Sequence, residues 1–274
     1  MPVKKEASGH RSVQAEVEVP GTPEAVWKAI ATGPGISAWF VPTDLEERAG
    51  GTTVSHFAEG NSMDSVAKIT TWEPPHRFVA ESPAEPGPGP GPVATEWSVE
   101  TRSGDTCVVR VVHRWFASTD DWDGQFEGHT HGWQAFFRLL RAYLAHFPGQ
   151  RAASFQLMGI TTGTKAAAWE AVTRPLGLTG ATVGTRVRSP EGAPPLGGVV
   201  ESSGPSEWPE LLLRLDTPAP GLVHLFPMAM GGQVFVTVRH FLFGEQAPAA
   251  RAQAETAWRA WLARIFPPAA PPSA

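Results

Sequence analysis

The chain has 274 residues, of which 42% are hydrophobic and 18% are charged. This composition is typical of a globular protein, and the length allows two domains of about 100–150 residues each. The net charge of -5 is spread along the chain without basic blocks, which argues against binding to nucleic acid or to an anionic membrane. The only cysteine, Cys107, excludes an internal disulfide.

No apolar stretch reaches eighteen residues, and the N-terminal segment has no hydrophobic core of a secretion signal. We therefore expect a cytoplasmic protein that does not span a membrane. The excess of arginine over lysine is typical of a GC-rich bacterial genome.

The first half predicts a strand, two short helical segments and then a series of strands. Apolar residues alternate with polar ones over 13–19, which indicates a half-buried strand. Thr22 and Pro23 then provide a helix N-cap and a first helical residue, and a second helical turn is predicted over 36–40. Strands are predicted over 44–49, 52–58, 65–72, 78–82, 94–101 and 106–117. Short turn sequences between them favour an antiparallel sheet.

A long amphipathic helix is predicted over 125–148, at the end of this half. Its apolar stripe follows three- and four-residue steps and consists of Phe126, His129, Trp133, Phe136, Phe137, Leu140, Leu144 and Phe147. The histidine at the start of the stripe distinguishes the N-terminal part of the helix from ordinary core. We expect the C-terminal part to pack as core and the segment 129–137 to line a cavity between helix and sheet.

The second half repeats this pattern in a shorter form. A strand is predicted over 154–161, and the sequence KAAAWEAV at 165–172 matches PEAVWKAI at 23–30. Farther on, VTVRH at 236–240 matches VRVVH at 109–113, and AWRAWL at 257–262, in a helix predicted over 253–266, echoes GWQAFF at 132–137. The order is kept, which indicates an internal duplication. We predict domains over 12–149 and 152–267, a flexible tail over 1–11 and a disordered tail over 268–274.

Several motifs of the first half resemble those of one protein superfamily. They are Ala-Val-Trp-Lys-Ala-Ile at 25–30, Ala-Trp-Phe at 38–40, Gly50-Gly51, Trp-Glu-Pro-Pro-His-Arg-Phe at 72–78, the strand ending at His113, and Glu-Gly-His at 127–129 followed by Gly132-Trp133. Together they resemble the helix-grip superfamily of Bet v 1-like and START-like proteins (SRPBCC). Within it they are most similar to the branch named after the activator of Hsp90 ATPase (AHSA1-like).

This resemblance implies an α+β fold with two tandem helix-grip domains, each a curved antiparallel sheet wrapped around a long C-terminal helix. It also implies a cavity between sheet and helix. Members of the superfamily bind hydrophobic small molecules, some are polyketide cyclases or aromatases, and the namesake of the branch assists a chaperone.

Alternation along the strands sorts candidate site residues from solvent-facing ones. Over 107–115, His113 and Trp115 share a face with apolar residues while arginines occupy the other face, and Trp97 faces the helix by the same reasoning. Apolar walls with a few polar groups are typical of small-molecule pockets. The candidate ligand-binding residues are Trp39, His56, Trp97, His113, Trp115, His129, Trp133 and Phe137. The alternative is that these residues form a large core in which each histidine is hydrogen-bonded.

Other site chemistry is less well supported by the sequence. His129 and His131 lie two residues apart on a helix and do not share a face, so no metal site is predicted. Cys107 lies within a strand and is expected to be an inert core thiol. No cofactor is implied, and no catalytic residue is assigned.

Three functions follow from the sequence. The first is the binding of a hydrophobic or aromatic small molecule in the cavity of the first domain. The second is a cyclase, aromatase or hydrolase activity in the same cavity, with His113, His129 or Glu127 as acid or base. The third is an interaction with a protein partner such as a chaperone, which predicts an exposed apolar patch.

Overall fold

A computed structural model of the chain describes residues 4–5, 10–57, 64–83, 92–116 and 123–267, with the side chains of 5, 10, 116 and 123–131 outside this description. The chain divides into two compact units, Met1–Arg151 and Ala152–Ala274. Each unit consists of one antiparallel sheet and a few helices, the longest of which follows the last strand of its sheet.

The first unit contains an eight-stranded sheet and three helices. Its elements are β1 (Lys4–Lys5), β2 (His10–Pro20), α1 (Pro23–Ala31), α2 (Gly33–Ile36), β3 (Thr43–Leu45), β4 (Thr52–His56), β5 (Asp64–Glu73), β6 (Arg77–Ser82), β7 (Val93–Ser103), β8 (Thr106–Phe116) and α3 (Asp123–His146). The strand order is β1-β2-β8-β7-β6-β5-β4-β3, so β8 pairs with both β2 and β7 near one end of the sheet.

Local sequence explains where α1 begins and how the turn after α2 is held. The Thr22 hydroxyl accepts a hydrogen bond from the backbone N–H of Ala25, and Pro23 occupies the first turn, so α1 starts where the capping residues predict. The turn after α2 is then attached to α1, because the Trp39 indole N–H donates to the Ala29 carbonyl oxygen over 2.9 Å.

Helix α3 packs against one face of the sheet, where it contacts β2. Phe137, Leu140 and Leu144 of its apolar stripe are buried, whereas Arg141 on the opposite side is exposed. The sheet supplies the matching apolar surface, in which Val109 and Val111 of β8 are completely buried. Burial of one helix stripe against one sheet face is the arrangement that the periodicity of residues 125–148 predicts.

Three predicted elements of the first unit have a boundary that differs from the sequence prediction by three residues or more. Strand β2 begins at His10, inside the segment predicted as a tail, because His10 pairs in register with Phe116. Helix α2 begins at Gly33, where the Thr32 hydroxyl caps it, and not at residue 36. Strand β3 ends at Leu45, because the following residues form a turn that includes Gly50 with a φ of 78°.

The second unit contains a six-stranded sheet and two helices. Its elements are β9 (Ala153–Thr161), α4 (Lys165–Thr173), β10 (Arg186–Arg188), β11 (Gly197–Ser203), β12 (Leu211–Thr217), β13 (Gly221–Met230), β14 (Gln233–Leu242) and α5 (Ala247–Ile265). The strand order is β10-β11-β12-β13-β14-β9. Helix α5 begins six residues before the predicted start, with Pro248 in its first turn.

The two sheets share one plan. In each, the last strand before the long helix lies between the first long strand and the preceding strand, as β8 lies between β2 and β7 and β14 lies between β9 and β13. Trp258 and Trp261 of α5 are buried in the core of the second unit. The predicted α+β fold with two tandem helix-grip domains is therefore confirmed.

Candidate functional site

Seven contacting aromatic side chains of the first unit lie where the sheet meets α3, and we call them the aromatic cluster. They come from the turn after α2, from β6 and β7, and from α3, and they are Trp39, Phe40, Phe78, Trp97, Trp133, Phe136 and Phe137. The sheet and the helix meet where the Trp97 and Trp133 rings lie edge to face with centroids 5.0 Å apart. Such aromatic pairs contribute about 0.5–1.5 kcal/mol beyond the area that they bury.

Ring contacts continue on both sides of this central pair. Phe78 stacks on Trp97 with a centroid distance of 6.3 Å, and Phe40 stacks on Trp133 at 5.5 Å. Phe40 also contacts Phe136 at 4.4 Å. Trp97 and Trp133 are only partly buried, so the centre of the aromatic cluster has surface that an apolar ligand can cover.

One chain of polar groups runs along the aromatic cluster. The Trp133 indole N–H donates to Nε2 of His113 over 2.6 Å, and Nδ1 of His113 lies 2.9 Å from the Thr95 hydroxyl oxygen. The imidazole also lies against the Trp133 ring, with centroids 5.7 Å apart. Strand, neighbouring strand and helix each contribute one group, because Thr95 and His113 are opposite each other in the β7–β8 register.

The chemistry of the indole determines which proton the imidazole carries. An indole N–H is a donor only, so Nε2 of His113 must be an unprotonated acceptor in this hydrogen bond. A neutral imidazole then holds its hydrogen on Nδ1 and donates it to the Thr95 hydroxyl oxygen. The bond to Trp133 is incompatible with a doubly protonated ring, so the observed geometry requires neutral His113.

Three other predicted residues lie in the interior near this group. Trp39 and Phe137 are each 1% exposed and belong to the aromatic cluster. Trp115 is 2% exposed and lies on the same face of β8 as His113. These three side chains form the packed part of the predicted set.

The structure does not bring His56 to the aromatic cluster. His56 lies on β4 opposite Asp64 of β5, and its Nδ1 is 2.9 Å from the Asp64 carboxylate while Nε2 is 3.3 Å from that of Asp44. The next residue, Phe57, contacts Phe40 instead, since successive side chains of a strand point to opposite faces. Hydrogen bonds to Asp64 and then to Asp44 raise the pKa of His56 above its ordinary value.

His129 lies on α3, but its side chain belongs to the segment 123–131 outside the described residues. Its place in the predicted site is thus still a prediction. The same holds for Glu127, which was considered as an acid or base.

Charged side chains occupy the outer face of the sheet. Arg110 pairs with Glu16 and Glu100, and Arg114 pairs with Glu96, as expected for the solvent-facing positions of β8. The hydrogen bond to Glu16 is the main reason that the pKa of Arg110 is raised. On the inner face Cys107 is buried, and desolvation raises the pKa of its thiol, which keeps it in the unreactive protonated form.

The structure adds members that the sequence did not single out as ligand-binding residues. Phe136 was part of the predicted helix stripe, and Phe40 was part of the predicted turn, but neither was assigned to the site. Thr95 had one available signal, because it lies two residues before Trp97 on the same face of a strand. A hydroxyl at an inward strand position is a polar group that needs a partner.

Residues 20–145 match the model of a protein family described as "Activator of Hsp90 ATPase homolog 1-like protein". The matched segment lies within the first unit. No curated protein matches the chain. No helix in the described part of the chain is long and apolar enough to cross a membrane.

Three solved structures illustrate the range of similar folds. The di-domain ARO/CYC BexL from the BE-7585A biosynthetic pathway is 14% identical, with 95% of this chain and 100% of that chain covered and a TM-score of 0.44. CalU16 from Micromonospora echinospora is 18% identical, with 53% and 83% covered and a TM-score of 0.41. The Aha1 dimer from Colwellia psychrerythraea is 21% identical, with 48% and 95% covered and a TM-score of 0.39.

Proposed function

We propose that the chain binds a hydrophobic or aromatic small molecule between the sheet and α3 of its first unit, the unit in which residues 20–145 match the activator of Hsp90 ATPase homolog 1-like family model. The site would consist of the partly exposed centre of the aromatic cluster together with Thr95 and His113. Trp39, Trp115 and Phe137 would support it from beneath, and His129 would complete its wall.

The observation that carries this proposal is the contact of Trp97 of the sheet with Trp133 of α3. Each ring belongs to a different element and neither is fully buried, whereas ordinary core positions around them are. Covering about 150 Å² of such apolar surface contributes roughly 4 kcal/mol before the costs of association. That amount suits a ligand held with modest affinity by shape and stacking.

The bonding of His113 favours binding over catalysis. An acid or base must reach a proton of the substrate, yet both ring nitrogens of His113 are held by Trp133 and Thr95. The enzymatic alternative would therefore depend on other groups, such as His129 or Glu127. We therefore propose a positioning role for the imidazole, which the two hydrogen bonds support.

Native mass spectrometry of the freshly purified chain, compared with its denatured mass, tests the proposal. We expect a mass excess that disappears on denaturation, and we expect Trp97→Leu to lose it, since leucine cannot replace the ring contacts. Trp208→Ala, which changes an exposed tryptophan of the second unit, should retain it. A wild-type chain with no mass excess, whose tryptophan fluorescence also stays unchanged on titration with naphthalene derivatives, would contradict the proposal.

A second candidate function rests on an exposed apolar surface of the second unit. Ile160 of β9, Phe235 of β14 and Met228 of β13 are consecutive partners across three strands, so their side chains share one face. Met158 and Met230 extend this surface, and the exposed fractions of Ile160 and Met230 are 46% and 53%. We call these five residues the apolar patch. Exposed groups of this kind are typical of protein-binding surfaces.

The partner suggested by the family description is an Hsp90-type chaperone. The test is the ATPase rate of a bacterial Hsp90-type chaperone with and without the chain. If the apolar patch serves this role, the wild-type chain raises the rate and Ile160→Lys weakens the effect. Val183→Lys, an equivalent change at an exposed valine outside the apolar patch, should leave it intact. An ATPase rate unaffected by the wild-type chain would remove this candidate.

A further inference from the structure

We propose that Thr95 is the hydrogen-bond donor of the ligand site, and that the site therefore favours aromatic molecules that carry a carbonyl or a similar acceptor. This inference rests on the proposed function, because it assigns a ligand class and a specificity residue to the same site. It is carried by the order of the polar groups along β7, β8 and α3.

The direction of each hydrogen bond in the series Trp133–His113–Thr95 follows from the tryptophan. Trp133 can only donate, so His113 accepts at Nε2 and donates from Nδ1 to the Thr95 oxygen. One of the two lone pairs of the Thr95 oxygen is thereby used, and the hydroxyl hydrogen is left to donate. Among the described residues, the Thr95 hydroxyl has no second protein partner, and its side chain is partly exposed. A ligand that offers an acceptor there gives this hydroxyl hydrogen its hydrogen-bond partner.

The second unit has a histidine, His240, at the position that matches His113, and its surroundings differ. His240 lies on β14 where His113 lies on β8, and Val223 stands opposite it where Thr95 stands in the first unit. On the other side Phe155 replaces Val13 and stacks on the imidazole, with centroids 4.5 Å apart. Neither nitrogen of His240 has a hydrogen-bond partner among the described residues, and the side chain is fully buried.

The aromatic residue next to this position also differs between the two units. Trp97 is opposite Val111 and Phe78 in the first sheet, whereas Leu225 is opposite Val238 and Leu211 in the second. The helix partner alone is kept, since Trp258 contacts His240 at a ring distance of 5.3 Å. The first unit therefore has both the hydroxyl of Thr95 and the aromatic ring of Trp97. The second unit has neither of them at the matching positions, which are Val223 and Leu225. This joint difference ties Thr95 to the ligand site and not to the fold.

The position of the donor defines the ligand. Trp97 and Trp133 suit a flat ring system, and the Thr95 hydroxyl lies on the same side of the sheet as Trp97, two residues along β7. A bicyclic aromatic ketone meets both requirements. A hydrocarbon of the same shape meets only the first, and its binding leaves the hydroxyl without a partner.

Isothermal titration calorimetry with 2-acetonaphthone and 2-ethylnaphthalene tests the inference on the full chain. These probes have nearly the same shape and differ in the carbonyl acceptor. We expect Thr95→Val to weaken binding of the ketone about fivefold and to leave binding of the hydrocarbon unchanged. Thr95→Ser, which keeps the hydroxyl, should retain most of the ketone affinity.

The outcomes separate the inference from the proposed function. Binding of the hydrocarbon by Thr95→Val demonstrates that the variant is folded and that its site is intact. If Thr95→Val weakens both probes equally or neither of them, the donor role of Thr95 is refuted while the binding function stands. If the wild-type chain binds neither probe, the proposed function itself fails and the inference fails with it.

Discussion

The matching histidines of the two units predict opposite responses to the same substitution. His240→Leu removes two buried ring nitrogens that have no hydrogen-bond partner in the described part of the chain. His113→Leu removes a ring whose nitrogens are both used, and it leaves Trp133 and Thr95 without their partner. We expect the first change to stabilise its unit and the second to destabilise its unit.

The magnitudes follow from the local contacts. An unpaired buried polar group costs about 1–3 kcal/mol, while the stacking of His240 on Phe155 contributes about 0.5–1.5 kcal/mol that leucine would lose. The net gain for His240→Leu is therefore about 1 kcal/mol. His113→Leu breaks two hydrogen bonds and is expected to cost about 1–2 kcal/mol, with no equivalent relief.

Hydrogen exchange measured by mass spectrometry is the suitable assay, because it reports each unit separately in a chain that need not unfold in one step. Peptides from β12 to β14 should exchange more slowly in His240→Leu, and peptides from β7 and β8 should exchange faster in His113→Leu. Faster exchange of β12 to β14 in His240→Leu would refute the reasoning, since it would show that the imidazole contributes more than its desolvation costs.

Acid should expose the same difference. Burial lowers the pKa of His240 to about 3, whereas an unfolded histidine titrates near 6.5. Between these values the unfolded state binds more protons, so the contribution to stability is present above pH 6.5 and is lost as the pH falls towards 3. The slope approaches about 1.4 kcal/mol per pH unit. His240→Leu should make the exchange-derived stability of β12 to β14 less sensitive to pH in this window.

Other predictions concern each unit separately. The pKa of His56 is raised by its carboxylate partners, first of all Asp64, so its contribution to stability is present below about pH 6.5 and is lost as the pH rises through its folded value. Hydrogen exchange of β4 and β5 should accordingly speed up between pH 6 and pH 8 beyond the intrinsic rate, and His56→Gln should abolish this effect. A Cβ at Gly198 would lie 2.1 Å from the Arg214 carbonyl oxygen, so Gly198→Ala should lower the thermal midpoint of the second unit by several degrees. A Cβ at Gly132 would meet no atom within 4 Å, so Gly132→Ala should stabilise α3 by about 0.5–1 kcal/mol. An equal loss of stability in Gly198→Ala and Gly132→Ala would show that the space around the added Cβ does not decide the outcome.

Sequence periodicity was sufficient for most of the fold. The three- and four-residue steps over 125–148 mark the buried side of α3, and the alternation over 107–115 separates the inner face of β8 from its arginines. The end of β3 was missed because it depends on the turn that follows Leu45, and the start of β2 was missed because it depends on pairing with β8, far along the chain. The sequence motifs that match between the two halves lie on equivalent strands and helices of the two units.

The candidate site was predictable only in part. Alternation along β7 and β8 was enough to place Trp97 and His113 on the helix side, since both strands are long and clearly patterned. His56 lies on a short strand of five residues, where the sequence does not show which face meets the helix. Thr95 was missed because a polar residue in a strand normally indicates the solvent side, and its bond to His113 exists only in the β7–β8 register.

The most direct measurement is a ¹H–¹⁵N spectrum of the tryptophan indoles during titration with 2-acetonaphthone. The signals of Trp133 and Trp258 can be assigned with Trp133→Phe and Trp258→Phe, and they report the matching positions of the two units. If the first unit holds the ligand site, the Trp133 signal shifts with a saturable dependence on ligand while the Trp258 signal stays in place. A titration that moves Trp258 and leaves Trp133 unchanged would contradict the assignment of the site to the first unit.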